Sequence, residues 1–203
     1  IMPLVTHPVR GVIWAQGAAA PDRAYQYRTL FRMLIRDWRR AWRRDDLPFL
    51  FVQEAAFGPR RMEPGEHSWA ELREAQAMGL ALPDTAMAVS NDAGDERDIH
   101  PKRKRPVGDR LALAARALVY GEQIPYSGPV FRSMQVAGRK VTIRFHHTHG
   151  ALKTSDGQGP RGFALSGGAA NFNAGNRGFQ WAQARIEGEE VVLWSAQVDA
   201  PVA

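Results

Sequence analysis

The first clear pattern in the chain is an unbroken apolar run, Gly11-Val12-Ile13-Trp14-Ala15-Gln16, closed by Gly17. A short run of this kind predicts a buried strand feeding a loop. Beyond Pro21 and Asp22 the apolar positions fall at three- and four-residue steps: Tyr27, Leu30, Phe31, Leu34, Ile35, Trp38 and Trp42. That spacing predicts one apolar stripe on a helix of about 20 residues, with the arginines on its other face. A second continuous run, Phe49-Leu50-Phe51-Val52, lies between Pro48 and Gln53 and does not alternate, as expected of a strand covered on both faces. A loop rich in Gly, Pro and charge runs from Phe57 to His67. Ser68, with Glu71 three residues on, is then expected to cap a helix from Trp69 to Leu82 that stops at Pro83. Thr85 to Ser90 reads as a third strand. The polar, acidic loop Asn91 to His100 leads into Pro101, suited to open a helix that continues through Leu111, Ala115 and Leu118 to Tyr120 and ends at Gly121.

Strands alternating with helices predict an α/β fold with a parallel sheet. The pattern changes after Pro125. Short β-like runs follow at Val130–Val136, Lys140–Phe145, Gly162–Leu165, Gly178–Ile186 and Val191–Ser195. They are separated by turn signals at Ala137-Gly138, Asp156-Gly157, Gly167-Gly168, Asn176 and Glu187-Gly188. The expected organisation is an α/β domain over residues 1–127 and a small antiparallel β unit over 128–203. Ile1-Met2-Pro3 and the uncapped end at Ala203 lead us to expect that the chain is cut from a longer one.

Composition narrows the chemistry more than the fold. With 203 residues, 44% hydrophobic and 24% charged, the chain has the balance of a folded globular protein. The absence of cysteine excludes disulfides, thiolate zinc sites and cysteine nucleophiles. Lys+Arg exceed Asp+Glu by 27 − 21 = 6, and the excess gathers in Arg36, Arg39, Arg40, Arg43 and Arg44 and in Lys102 to Arg105. No nucleic-acid-binding motif accompanies these clusters, so they read as solvated helix faces and no nucleic-acid partner is expected. No apolar run approaches the roughly 20 residues a membrane span needs.

Four constellations carry candidate chemistry. Asp98-Ile99-His100-Pro101 lies in the loop after the third strand, on the side of an open α/β sheet where ligands bind. A histidine ahead of a helix amino terminus suits a general base, and a nearby carboxylate can orient its ring. A capping Asp and a bystander His fit the same residues. Gln16 and Gly17 close the first strand, where an amide and a backbone N–H can face an oxyanion, or simply end a strand in a turn. Trp69, Leu72, Arg73 and Gln76 share a helix face. Packing explains the first two, whereas Arg73 and Gln76 are placed to tie the helix to the loops around the site. His147 and His149, next to His146, would share a strand face. Two imidazoles do not make a metal site, and no metal ligand set is assigned. His7 and His67 carry no signal.

In order, Gly11-Val12-Ile13-Trp14-x-Gln16-Gly17, Tyr27-Arg28-x-Leu30-Phe31, Leu34-Ile35-x-Asp37-Trp38-Arg39, Pro48 to Gln53, Trp69-x-x-Leu72-Arg73-x-x-Gln76, Gly94-Asp95, Asp98 to Lys102, Arg110 to Arg116 and Tyr126-Ser127-Gly128-Pro129 resemble the sialate O-acetylesterase family of SGNH hydrolases. The resemblance covers Pro3 to Pro129 closely and the β region more loosely. It implies a partial SGNH-hydrolase-like three-layer sandwich. It also implies a Ser-His-Asp esterase that removes acetyl groups from sugars such as sialic acids or xylan-type polysaccharides, in the periplasm or outside the cell, without metal or organic cofactor. By position it makes His100 the base and Asp98 the orienting acid, and it sets Gln16 and Gly17 on the substrate and oxyanion side.

Three departures stand against this pattern. No Gly-x-Ser-Asn nucleophile motif occurs between Ile1 and Ala203, and Ser68, Ser90, Ser127 and Ser133 lack a nucleophile context. Ala15 and Ala18 to Ala20 stand where the family carries polar groups. The position three before the histidine is Arg97, which leaves Asp98, or Asp95 in reserve, as the acid. The chain alone is therefore expected to hydrolyse esters poorly. A non-catalytic carbohydrate-binding or interaction module is the alternative.

Overall fold

The computed structural model describes residues 1–17, 21–168 and 178–202, so Ala18 to Ala20 and the turn signal at Asn176 lie outside the described residues. Contacts group the chain into two units, one of residues 1–60 and 67–127, the other of 61–66 and 128–203.

In the first unit β1 (Val12–Trp14), β2 (Phe49–Val52) and β3 (Thr85–Ala88) form a parallel sheet in the order β1-β2-β3. The helices are α1 (Ala24–Trp42), α2 (Ser68–Ala77) and α3 (Arg105–Leu118). Successive strand residues face opposite sides. Phe49 and Phe51 pack with Phe31 and Ile35 of α1 and Leu72 and Ala75 of α2, whereas Leu50 joins Ala86 and Ala114 of α3. The sheet is thus covered on both faces, which is why β2 is apolar without alternation. Burying each of these large side chains stabilises the fold by about 1.5–3 kcal/mol.

Four local features differ from the sequence reading. The third helix begins at Arg105 rather than Pro101. A helix from Pro101 would carry Pro106 in its interior, where a missing N–H and a clash with the carbonyl four residues back break the ladder; at Arg105 the proline falls in the tolerated first turn. His100 therefore does not sit at a helix amino terminus. The cap of α2 is His67, whose Nδ1 accepts from the Trp69 N–H at 3.2 Å, and Ser68 is already helical. Arg39 is not on the solvated face: it is buried and donates from Nε to Leu47 O at 3.0 Å and from Nη2 to Pro83 O at 2.7 Å. Finally, His147 and His149 lie past the end of β5 with φ of 59° and 51°, so they do not share a strand face.

The second unit holds β4 (Val130–Ala137), β5 (Lys140–His146), β8 (Gln183–Glu187) and β9 (Glu190–Trp194) in an antiparallel sheet ordered β4-β5-β9-β8. A separate ladder joins β6 (Ala164–Ser166) to β7 (Phe179–Trp181). Val141, Leu165, Val191, Leu193 and Val198 form its core.

Candidate active site

The carboxyl ends of the three parallel strands bring the candidate residues of the first unit onto one rim. Gln16 and Gly17 follow β1, Gln53 and Glu54 follow β2, and the loop from β3 carries Asp95, Asp98 and His100. Because β2 is the middle strand, Glu54 stands between the other two sets.

The Gln16–Gly17 turn is held from two helices. The Tyr27 hydroxyl of α1 lies 2.8 Å from Gln16 Oε1 and 3.3 Å from Gln16 O. Gln76 of α2 donates from Nε2 to Gln16 O at 3.0 Å, while its Oε1 accepts the Glu54 N–H at 2.8 Å. Gln76 is buried and thereby fastens the ends of β1 and β2 to each other. With Oε1 engaged by Tyr27, the Gln16 carboxamide presents its NH2 as the remaining donor. A Cβ on Gly17 would stand 2.7 Å from Glu54 Oε2 and 2.8 Å from Gln76 Nε2, so the carboxyl and amide lie directly against this turn.

The β3 loop is fixed at its start. Arg110 of α3 donates to Asp92 through Nη1 and Nη2, at 2.6 and 2.8 Å, and from Nη1 also to Val89 O. Arg103 donates to Asp92 O. The Asp95 N–H reaches Ala56 O, and Asp95 Oδ1 accepts the N–H groups of Arg97 and Asp98. Asp98 Oδ1 accepts the backbone N–H of His100 at 2.8 Å and lies 3.8 Å from its Nδ1. The Asp98 carboxylate is therefore beside the ring but bound to the backbone. The imidazole itself is exposed, at 83%.

Charge in this rim centres on two residues that motif reading did not weigh as a pair. Burial pushes the Glu54 carboxyl above its ordinary range, partly offset by the positive charges of Arg73, His100 and Lys104. Burial also pulls the Arg73 guanidinium below its ordinary value, against the opposing pull of Glu54. The sequence signal for Glu54 was its place one residue beyond Gln53, at the carboxyl end of a central strand. Tyr27 is buried behind Gln16, and desolvation raises its phenol to about 12.

A cavity of about 640 Å³ lies elsewhere, lined by Pro8, Arg10, Arg44, Pro48, Asp84 and Val119 among others. Pro48 and Asp84 precede β2 and β3, so this hollow opens at the amino ends of the strands, away from the rim that carries His100. Among the described residues no group of three or more His, Cys, Asp or Glu side chains is arranged to hold a metal ion, and no helix is long and apolar enough to cross a membrane.

The model of a family described as carbohydrate esterase, sialic acid-specific acetylesterase, matches residues 3–117. Sialate O-acetylesterase of Mus musculus is 30% identical over 155 residues, covering 67% of this chain and 28% of the mouse protein. Sialate O-acetylesterase of Homo sapiens is 29% identical over 157 residues, covering 69% and 30%. A crystal structure of a carbohydrate acetylesterase from Xanthomonas citri superposes with a TM-score of 0.89 at 43% identity, covering 98% of this chain and 45% of that one. The chain thus spans less than half the length of each of these relatives.

Proposed function

Because the chain belongs to the sialic acid-specific acetylesterase family of carbohydrate esterases, we propose that it carries the base and oxyanion side of an enzyme that hydrolyses acetyl esters on sugars. His100 takes the proton of a serine hydroxyl and returns it to the sugar oxygen as the acyl-enzyme forms; water then repeats the exchange. Asp98 limits the motion of the histidine and balances the imidazolium. The Gln16 carboxamide and the Gly17 backbone face the oxyanion. The observation that supports this reading is the placement of Gln16 and Gly17 after β1 and of Asp98 and His100 after β3, at the carboxyl ends of the two strands that flank β2, the rim where such sheets bind ligands.

No Gly-x-Ser-Asn motif stands in residues 1–203, and this reading assigns the nucleophile to none of their serines. The chain by itself is expected to hydrolyse 4-nitrophenyl acetate no faster than buffer, since loss of a serine nucleophile costs roughly a million-fold in turnover. Hydrolysis by the purified chain that disappears in His100→Ala would overturn that expectation while supporting the role of His100. The 3.8 Å separation of Asp98 Oδ1 from the ring favours one second reading, a carbohydrate-binding module without chemistry. Calorimetry separates the two: sugar binding that persists unchanged in His100→Ala, with no turnover when a serine-bearing segment of a homologue is supplied, would favour the module.

A further inference from the structure

Gln16 is exposed, and an exposed glutamine samples many rotamers unless a partner holds it. Its carboxamide has two ends of nearly the same shape, one an acceptor and the other a donor, so hydrogen bonding decides which end faces which way. The deciding group is the Tyr27 hydroxyl. Tyr27 is 7% exposed and its ring stacks on Phe31 with centroids 5.4 Å apart, so core packing fixes where the hydroxyl stands. Gln16 adapts to Tyr27 and not the reverse. The hydroxyl carries one hydrogen. Of the two acceptors within reach, Gln16 O at 3.3 Å already takes Gln76 Nε2 at 3.0 Å, so the hydrogen goes to Gln16 Oε1 at 2.8 Å. The oxygen itself is faced by donors: burial raises the phenol, and the N–H groups of Trp14 and Gln76 pull it back. Trp14 Nε1 is buried and completes no hydrogen bond among the described residues. A carboxamide turned the other way would set a further N–H against that oxygen and leave Oε1 without the phenol hydrogen. As it stands, Gln16 Nε2 donates to nothing among the described residues.

We infer that Tyr27 is a positioning residue: its hydroxyl locks the Gln16 carboxamide with the NH2 end free to donate to the oxyanion. The inference rests on the oxyanion role given to Gln16 above. Tyr27 acts only through Gln16, from behind it, and the lock supplies what an oxyanion donor needs, a dipole already aimed before charge develops.

The test joins NMR relaxation to kinetics. In the wild-type chain the order parameter of Gln16 Nε2 is expected near that of rigid backbone, about 0.85. In Tyr27→Phe it should fall below about 0.6 while the backbone of 12–16 stays rigid. With a serine-bearing segment of a homologue supplied, Tyr27→Phe should lower kcat at least about tenfold and leave KM within about twofold, because a misaimed donor is lost to the transition state and not to the ground state. Gln16→Ala should lose about 100-fold, and adding Tyr27→Phe to it should cost no more, since the two act as one unit. A mobile Gln16 Nε2 in wild type, an order parameter unchanged in Tyr27→Phe, or kinetic losses that add in the double variant overturns the positioning role. The wild-type value decides even where Tyr27→Phe does not fold. A rigid Nε2 released in Tyr27→Phe, with turnover kept in Gln16→Ala, leaves the lock standing and overturns the oxyanion reading. Absence of turnover in the wild-type pair counts against the esterase reading, and relaxation alone then decides the lock.

Discussion

Gly94 shows what a single residue contributes to holding the rim. A Cβ there would fall inside the Ala56 carbonyl oxygen and within 2.8 Å of the Ala56 C and N atoms, all backbone that cannot swing aside. Its φ of −65° is ordinary, so the requirement is space and not conformation. Gly94→Ala is expected to cost about 1–3 kcal/mol, as overpacking of a fixed site does. It should also break the Asp95 N–H bond to Ala56 O, and denaturant unfolding measures the cost. Tyr27 gives a pH signature. Its phenol is raised from 10.0 to about 12, chiefly by burial, so between those values the unfolded state loses a proton that the folded state keeps. Stability present below pH 10 therefore falls as pH rises through the folded value, by up to roughly 2–3 kcal/mol. Tyr27→Phe should flatten that alkaline slope and lose about 1 kcal/mol near neutrality with the hydrogen bond to Gln16. An unchanged slope would mean another group titrates there. Glu54 obeys the same sign: its proton is held more tightly in the fold, so its contribution is full below the ordinary carboxyl range and lost as pH rises through the raised folded value. Glu54→Gln should thus be at least as stable as wild type at neutral pH.

Among the elements, the loop between β3 and α3 decides whether His100 is held. Its anchor is the two-pronged contact of Arg110 with Asp92, reinforced by Arg103, and the contact holds the Asp92 carboxyl below its usual range. Both partners are substantially exposed, at 37% and 54%, so the pair adds no more than about 1 kcal/mol to global stability. Arg110→Met should leave the melting temperature nearly unchanged yet speed amide hydrogen exchange across 91–104, with the middle of α3 still protected. Equal protection throughout would show that the loop is fixed by other contacts. This anchor was not legible in the chain, because Asp92 and Arg110 are far apart in sequence and neither breaks a periodic pattern. The strands and α1 were legible, since burial on two faces or along one stripe writes itself into apolar spacing. Helix starts were less so. Pro101 looked like an opener, but Pro106 governs, and the cap at His67 uses a ring nitrogen in place of the expected serine hydroxyl. Arg39 was hidden for a similar reason: its partners are carbonyls at Leu47 and Pro83, which carry no side-chain signal. At the rim, Gln16, Gly17 and Gln76 stood out by their places at strand ends and on a helix face. Glu54 did not, because its meaning comes from Gly17 and Arg73 approaching it in space.

At the scale of the molecule, two sheets end in strands that expose apolar residues, and they are not equally hazardous. β4 shows Phe131 at 62%, Met134 at 43% and Val136 at 42%, but a bulge between Phe131 and Ser133 and the charge of Arg132 interrupt it. Such features blunt an edge against further pairing. β1 has no such protection: it is the terminal strand of a parallel sheet, reads Val-Ile-Trp, and exposes Ile13 at 63%. The opposing effect is the net charge of +6, which keeps molecules apart at low ionic strength but is screened within about 8 Å in physiological salt. Short-range strand pairing is screened far less, so salt tips the balance toward association. We expect the chain to sediment as a mixture of monomer and larger species at tens of micromolar, with the larger species growing from low to physiological salt. Ile13→Lys, which puts a charge on the β1 edge without entering the core, should restore the monomer, whereas Phe131→Lys should change little. A sharp monomer for wild type at both salt levels would show that the β1 edge is closed to pairing, and rescue by Phe131→Lys alone would move the contact to β4.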